Sequence, residues 1–174
     1  MTFKLTYSTM FNPPEEMHER FESAMASVRS DLGGTHAMLI DGRDVEAGRR
    51  LSTRSPVDTR TCLGHFPAGE AAHVEQAIAA AGRAFPAWRR MPMAERLALM
   101  RRVADLLEQR VYTIGAALAL EVGKNRMESL GEAQETVDFF RGYSDEFERN
   151  HGYDHALPDD PLEGWASHNR SVLK

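Results

Sequence analysis

Gly123-Lys124 is a pair set between two runs of helical periodicity, and a Gly-Lys turn can cradle phosphate. Such a cradle needs a further glycine, which would fall at position 118, and a serine or threonine directly after the lysine. The residues there are Leu118 and Asn125, so the pattern fails on both sides. A helix C-cap accounts for Gly123 instead, since glycine enters the left-handed backbone region at little steric cost. His151 and His155, with Asp154, Asp159 and Asp160, are of metal-ligating type. Two histidines around a Gly-Tyr turn nevertheless lack a cysteine or an HExxH frame, and a solvated polar loop with no metal is the expectation. Cys62 is the single cysteine. A nucleophilic thiol needs a nearby base or a helix N-terminus, and its sequence neighbours offer only His65, so Cys62 reads as a structural thiol. Glu121, Glu132 and Glu135 fall on helical stretches, where carboxylates face water and Arg126 or Arg141 would pair with them.

The elements that must position these residues follow from periodicity. Asn12 is placed to cap a helix with Pro13 in its first turn, and Met17, Phe21, Met25, Val28 and Leu32 then recur at helical spacing until Gly33-Gly34. Asp41-Gly42 between a short apolar run and a polar one predicts a hairpin. Extended segments are expected at 51–55 and 61–66, which makes small strands and no large sheet. From Glu70 the pattern is helical, with Val74, Ile78, Ala81 and Phe85 on one face and Pro86 ending or kinking the element before Trp88. The next helix carries Leu97, Met100, Val103, Leu107 and Val111 in one stripe and continues to Val122. Its antiparallel partner runs from about Arg126 to Arg149, with Met127, Leu130, Val137, Phe140 and Phe147 inward. Beyond Asn150 turn formers dominate, and the alternating tail Ser167 to Leu173 reads as a strand without an obvious partner, which suggests a piece of something longer.

Composition narrows the function classes. A length of 174 residues suits one core, and a net charge of −5 gives no broad basic field for nucleic acid. One cysteine excludes an intramolecular disulfide and fits a reducing compartment. The start MTFKLTYSTMFNPPEE has neither the apolar region of a signal peptide nor a membrane span, so no membrane association and a cytoplasmic location are expected.

The ordered landmarks Ser55-Pro56, Phe85 to Trp88, Pro92 to Arg96, and Glu121-x-Gly123-Lys124 followed by a long acidic helix resemble the N-terminal region of the NAD(P)-dependent aldehyde dehydrogenase superfamily. The preceding PEEMHERFESAMASVRSDLGGTHAMLIDGR resembles the extra helix and hairpin of the branch that includes 1-pyrroline-5-carboxylate (glutamate semialdehyde) dehydrogenase, a branch of proline catabolism. The fold this implies is α/β: leading helices and small β-hairpins, truncated before the core Rossmann sheet. The divisions expected are a helix and hairpin extension at 1–50, the helical part of the dinucleotide-binding domain at 51–150, and the start of oligomerisation strands at 151–174.

In that family the catalytic cysteine, glutamate and asparagine lie further along the chain, as does the dinucleotide-binding motif. The resemblance therefore implies no catalytic, cofactor-binding or metal residue here, with NAD a cofactor of the complete enzyme only. It implies one substrate residue, Glu135, which matches a glutamate lining the substrate entrance in the pyrroline-carboxylate branch. Its partner would be the rest of an aldehyde dehydrogenase chain, or a second copy of itself, with a homo-oligomer in the complete enzyme. A free-standing helical module that docks through its exposed stripes is the alternative.

Overall fold

The computed structural model describes residue 9, residues 12–158 and residues 170–172. The first helix, α1 (Glu15–Ser30), starts later than Asn12 and Pro13 would place it. Pro14 is its N-cap, and Met17 N donates to the Pro14 carbonyl at 3.0 Å. No side chain caps this end, and Glu15 and Glu16 meet the positive pole of the helix dipole instead. Met17 and Phe21 are buried, a contribution of about 1.5–3 kcal/mol each.

Gly33 ends the descent from α1 at φ 78°, and the chain enters β1 (Gly34–Thr35). The expected hairpin follows as β2 (Met38–Ile40) and β3 (Arg43–Val45), in register Ile40 to Arg43. Asp41 and Gly42 both have positive φ, 57° and 71°, as a two-residue hairpin turn requires. The two extended segments are β4 (Arg50–Arg54) and β5 (Cys62–Pro67), paired antiparallel. Among the described residues they form a three-stranded sheet in the order β1-β5-β4, with β1 parallel to β5.

α2 (Ala71–Arg90) passes through Pro86 rather than ending there. Proline removes one backbone bond, and the carbonyl it orphans, that of Gly82, lies on a stretch exposed to water, which can replace the donor. The shared face of α2 is not buried: Val74, Ile78 and Phe85 are all exposed, and Ala80 is its one buried residue. Arg83 ties the helix to the hairpin turn through Asp41 at 2.9 Å.

The long helix expected from Leu97 to Val122 is two helices, α3 (Met93–Glu108) and α4 (Val111–Val122). Arg110 departs from helical backbone (φ −114°, ψ 9°), and its N–H closes a tight turn on the Leu107 carbonyl at 2.9 Å. The interruption leaves Val111 buried in the common core, with Tyr112 packed against it. Both helices line α5 (Arg126–Arg149) in the antiparallel sense, α4 against its first half and α3 against its second. Met17, Phe21, Ala104, Val111, Ala116, Leu130, Ala133 and Val137 make the core among α1, α3, α4 and α5. Small residues set the spacing: a methyl group added at Gly115 would stand 2.9 Å from Leu130 Cδ2.

After α5 the chain turns through three successive positive-φ residues, His151 (50°), Gly152 (73°) and Tyr153 (58°). It then forms β6 (Asp154–Ala156), the antiparallel partner of β7 (Arg170–Val172). The terminal strand thus has the neighbour that sequence reading did not find. Residues 167–169 and 173 of that expected strand, together with Asp159 and Asp160, lie outside the described residues.

Candidate functional site

The Gly123-Lys124 turn is a junction of helices. Gly123 has φ 80° and caps α4, while Asn125 caps α5 by accepting from Glu128 N at 3.0 Å. Lys124 is held by Glu132 at 2.5 Å. Its cation is thereby paired and one amide of the first turn of α5 is capped, and with Leu118 and Asn125 at the positions of the required glycine and serine or threonine the turn lacks the phosphate-cradle pattern. Pro56 and Val57 close over Gly123, within 3.5 and 3.6 Å of where a side chain would begin. Ser55, buried, donates from Oγ to the Leu120 carbonyl at 2.6 Å and accepts from Val57 N at 3.2 Å. The Ser-Pro segment therefore serves one of the carbonyls that the end of α4 leaves without a helical donor.

The three glutamates part company. Glu132 pairs with Lys124, not with either arginine named for it. Arg126 is taken by Glu22 and His18 of α1, and Arg141 by Asp105 and Glu108 of α3 at 3.0 and 2.7 Å. These ion pairs join helices distant in sequence, which local spacing does not reveal. Glu121 borders a cavity of about 220 Å³ with Leu32, His36, Leu63 and Phe66. Glu135 is exposed on α5 and forms no ion pair with a described residue.

Next to Glu135 the helix carries a feature missed in the sequence. Phe139 and Tyr143 follow at four-residue spacing, stacked with centroids 5.4 Å apart and planes 9° apart, although they are 50% and 69% exposed. Together with Leu97, Met100, Thr136, Phe140 and Phe147 they line an apolar groove of about 460 Å³ between α3 and α5. The i, i+4, i+8 row from Glu135 was the available signal. Chemically the row offers one carboxylate beside a flat aromatic surface, a combination suited to a small cationic or polar group with an apolar stem.

Cys62 is half-buried on β5, with Sγ 3.9 Å from His65 Nε2 and 3.8 Å from the Gly64 carbonyl. Ser52 Oγ holds the other ring nitrogen of His65 at 2.8 Å. Cys62 lies on the sheet, an element separate from the helix that carries Glu135. His151 and His155 meet edge to face at 6.4 Å, and Arg170 engages Asp154 at 2.7 Å. Among the described residues no three His, Cys, Asp or Glu side chains converge on one point.

Likeness to known proteins follows the same helices and hairpins. A 1-pyrroline-5-carboxylate dehydrogenase 2 of Bacillus subtilis (strain 168) is 32% identical over 126 residues, 72% of this chain and 24% of the relative. A 1-pyrroline-5-carboxylate dehydrogenase of Staphylococcus haemolyticus (strain JCSC1435) is 28% identical over 130 residues, 75% of this chain and 25% of that one. The chain thus spans about a quarter of the length of these relatives. Among solved structures, a point mutant of Thermus thermophilus 1-pyrroline-5-carboxylate dehydrogenase superposes on 94% of this chain with a TM-score of 0.80 at 26% identity, over 32% of its own length. A 1-pyrroline-5-carboxylate dehydrogenase from Thermus with bound NAD superposes with a TM-score of 0.81, with the same coverage and identity. Residues 43–170, from the second strand of the first hairpin to the start of β7, match the aldehyde dehydrogenase family, and the chain belongs to that family.

Proposed function

We propose that this chain forms the leading part of an NAD(P)-dependent enzyme that oxidises glutamate semialdehyde to the acid, and that Glu135 lines its substrate entrance. The observation that supports this reading most is the superposition on solved 1-pyrroline-5-carboxylate dehydrogenases along 94% of the chain, combined with the exposure of Glu135 on α5, one helical turn before the groove-lining Phe139. An amino-acid semialdehyde carries an ammonium group, and a carboxylate placed at the entrance attracts and orients it through a charge-assisted hydrogen bond. The stacked Phe139 and Tyr143 rings would continue that surface along the groove.

The chain by itself is not catalytic in this proposal. The Gly123-Lys124 turn lacks the phosphate-loop pattern, and in this reading the groups that hold the cofactor and attack the aldehyde belong to parts of the family fold that the matched quarter does not span. Those parts are its partner, and they would cover the groove and the bare face of α2. A homo-oligomer and a cytoplasmic location complete the proposal.

The test is reconstitution. The purified chain is mixed with the remaining portion of the Thermus enzyme, and cofactor reduction is followed with glutamate semialdehyde and with propanal. A stable complex that reduces NAD+ with the semialdehyde is expected, and Glu135→Ala should lower kcat/KM for the semialdehyde more than for propanal. Equal loss for both substrates would return Glu135 to an ordinary solvated position. Cofactor reduction by the chain alone, abolished in Cys62→Ser, would overturn the whole reading.

A further inference from the structure

Cys62 and His65 lie on the same strand, β5, at a spacing that regular alternation would send to opposite faces of the sheet. The ladder is not regular. β4 and β5 pair Ser52 with His65, Thr53 with Gly64, and then Arg54 with Cys62, so Leu63 is an extra residue without a partner in the register. A bulge of this kind re-aims the side chains beside it. Ser52 and Arg54 share a face of β4, and their partners His65 and Cys62 are thereby brought to that face together. Cys62 Sγ stands 3.9 Å from His65 Nε2, and Ser52 Oγ stands 2.8 Å from Nδ1 of the same ring. Cys62 and His65 are both half-buried, so a small solute can reach them.

We propose that Cys62 and His65 bind one soft monovalent metal ion of the Cu(I) type between them, with Ser52 as a positioning residue. Thiolate and imidazole are donors that such ions prefer. Metal–sulfur and metal–imidazole bonds run about 2.0–2.3 Å, so donors 3.9 Å apart sit at a wide angle across a single ion. That angle suits two-coordination. Structural zinc takes four ligands, and among the described residues no third His, Cys, Asp or Glu joins the pair. Charge points the same way: one thiolate neutralises a monovalent ion, whereas a divalent ion would keep a positive charge with no carboxylate to offset it. Arg54, on the same face, is drawn toward the loop, where Nη1 donates to the Thr59 and Arg60 carbonyls at 3.1 and 3.2 Å. Ser52 Oγ, accepting from Nδ1–H, holds the tautomer that turns the Nε2 lone pair toward sulfur, the support a ligating histidine ordinarily has. The Cys62 thiol donates to the Gly64 carbonyl at 3.8 Å, a weak bond. On binding, the thiol proton passes to solvent as the sulfur–metal bond forms.

The probe is Cu(I) presented to the full chain as its coloured bicinchoninate complex, in oxygen-free buffer with ascorbate. The chain should withdraw one ion and bleach the complex to that extent. Cys62→Ser should abolish the withdrawal, His65→Gln should weaken it about tenfold or more, and Ser52→Ala should weaken it by a smaller factor. Circular dichroism establishes that each variant is folded. X-ray absorption at the copper edge of the parent chain keeps the test open if one is not, with one sulfur and one nitrogen expected in a two-coordinate shell. No withdrawal by the parent, retention in Cys62→Ser with the ion on methionines, undiminished affinity in folded His65→Gln, or a shell of sulfur alone would each overturn the site.

Discussion

Ser55 and Leu120 are 65 positions apart in sequence, and a 2.6 Å hydrogen bond from the Ser55 hydroxyl to the Leu120 carbonyl joins the end of β4 to the last turn of α4. Both the hydroxyl and its carbonyl partner are withdrawn from water. Ser55→Ala leaves a helix-end acceptor without its donor and should cost about 1–3 kcal/mol, read as a shift in the urea midpoint at constant slope. A midpoint unchanged within error would show that water replaces the hydroxyl.

Gly115 concerns the closeness of α4 and α5. A β-carbon there would stand 2.9 Å from Leu130 Cδ2 and 3.4 Å from Leu130 N, and Leu130 is 1% exposed within the core. Gly115→Val should cost about 1–3 kcal/mol through overpacking, and more than Gly115→Ala, whose better helix propensity offsets part of the clash. Thermal unfolding of the two variants ranks them. A Val variant as stable as the parent would mean that the helices can separate freely.

The loop between β4 and β5 carries an isolated ion pair with a clear pH signature. Arg60 holds the Asp58 carboxyl below its ordinary range, first through its side-chain hydrogen bond and then through its backbone N–H, with slight desolvation opposing. A depressed carboxyl contributes above its ordinary value, near 3.9, and the contribution disappears as pH falls through the lower folded value. In a carbon-detected titration Asp58 should therefore inflect below a free aspartate, and Arg60→Ala should move the inflection upward. Coincident curves for parent and variant would remove the assigned cause.

The exposed apolar surface predicts a dye response. Phe139, Tyr143, Val74, Ile78 and Phe85 are all exposed, and contiguous patches of this kind seldom persist on a soluble monomer. The isolated chain should bind ANS or self-associate by light scattering, and the double change Phe139→Ser with Tyr143→Ser should reduce whichever signal appears. A monodisperse monomer with one sharp transition and no ANS signal would favour the self-sufficient interaction module over a fragment needing its partner.

Sequence revealed most where chemistry is local. Gly123 as a C-cap, Asp41-Gly42 as a hairpin turn and the span of α5 all rest on backbone preferences of the residues themselves. It failed where distant contacts decide. The break at Gln109-Arg110 has no glycine or proline to announce it, and β6 is a three-residue strand of Asp, His and Ala, types with little preference for sheets. Pro86 misled in the opposite direction, because a proline on a solvated stretch breaks fewer essential bonds than one in a core. At the candidate site the helical stripe showed which residues face inward, but Phe139 and Tyr143 stack on the outer side, where apolar periodicity has no rule to offer.

The parallel pairing of β1 with β5 has a consequence for the order of folding. β4 and β5 can meet as a local hairpin, and α4 and α5 meet across a three-residue turn, so both contacts close short loops. β1 must instead wait for β5 to be in place, since Gly34 aligns with Gly64 and everything between them has to be looped out first. Closure of that loop brings α1 down beside the sheet at the same time as it reaches α4. The N-terminal segment is therefore expected to assemble late in refolding, as the slow step of an otherwise fast, helix-dominated chain.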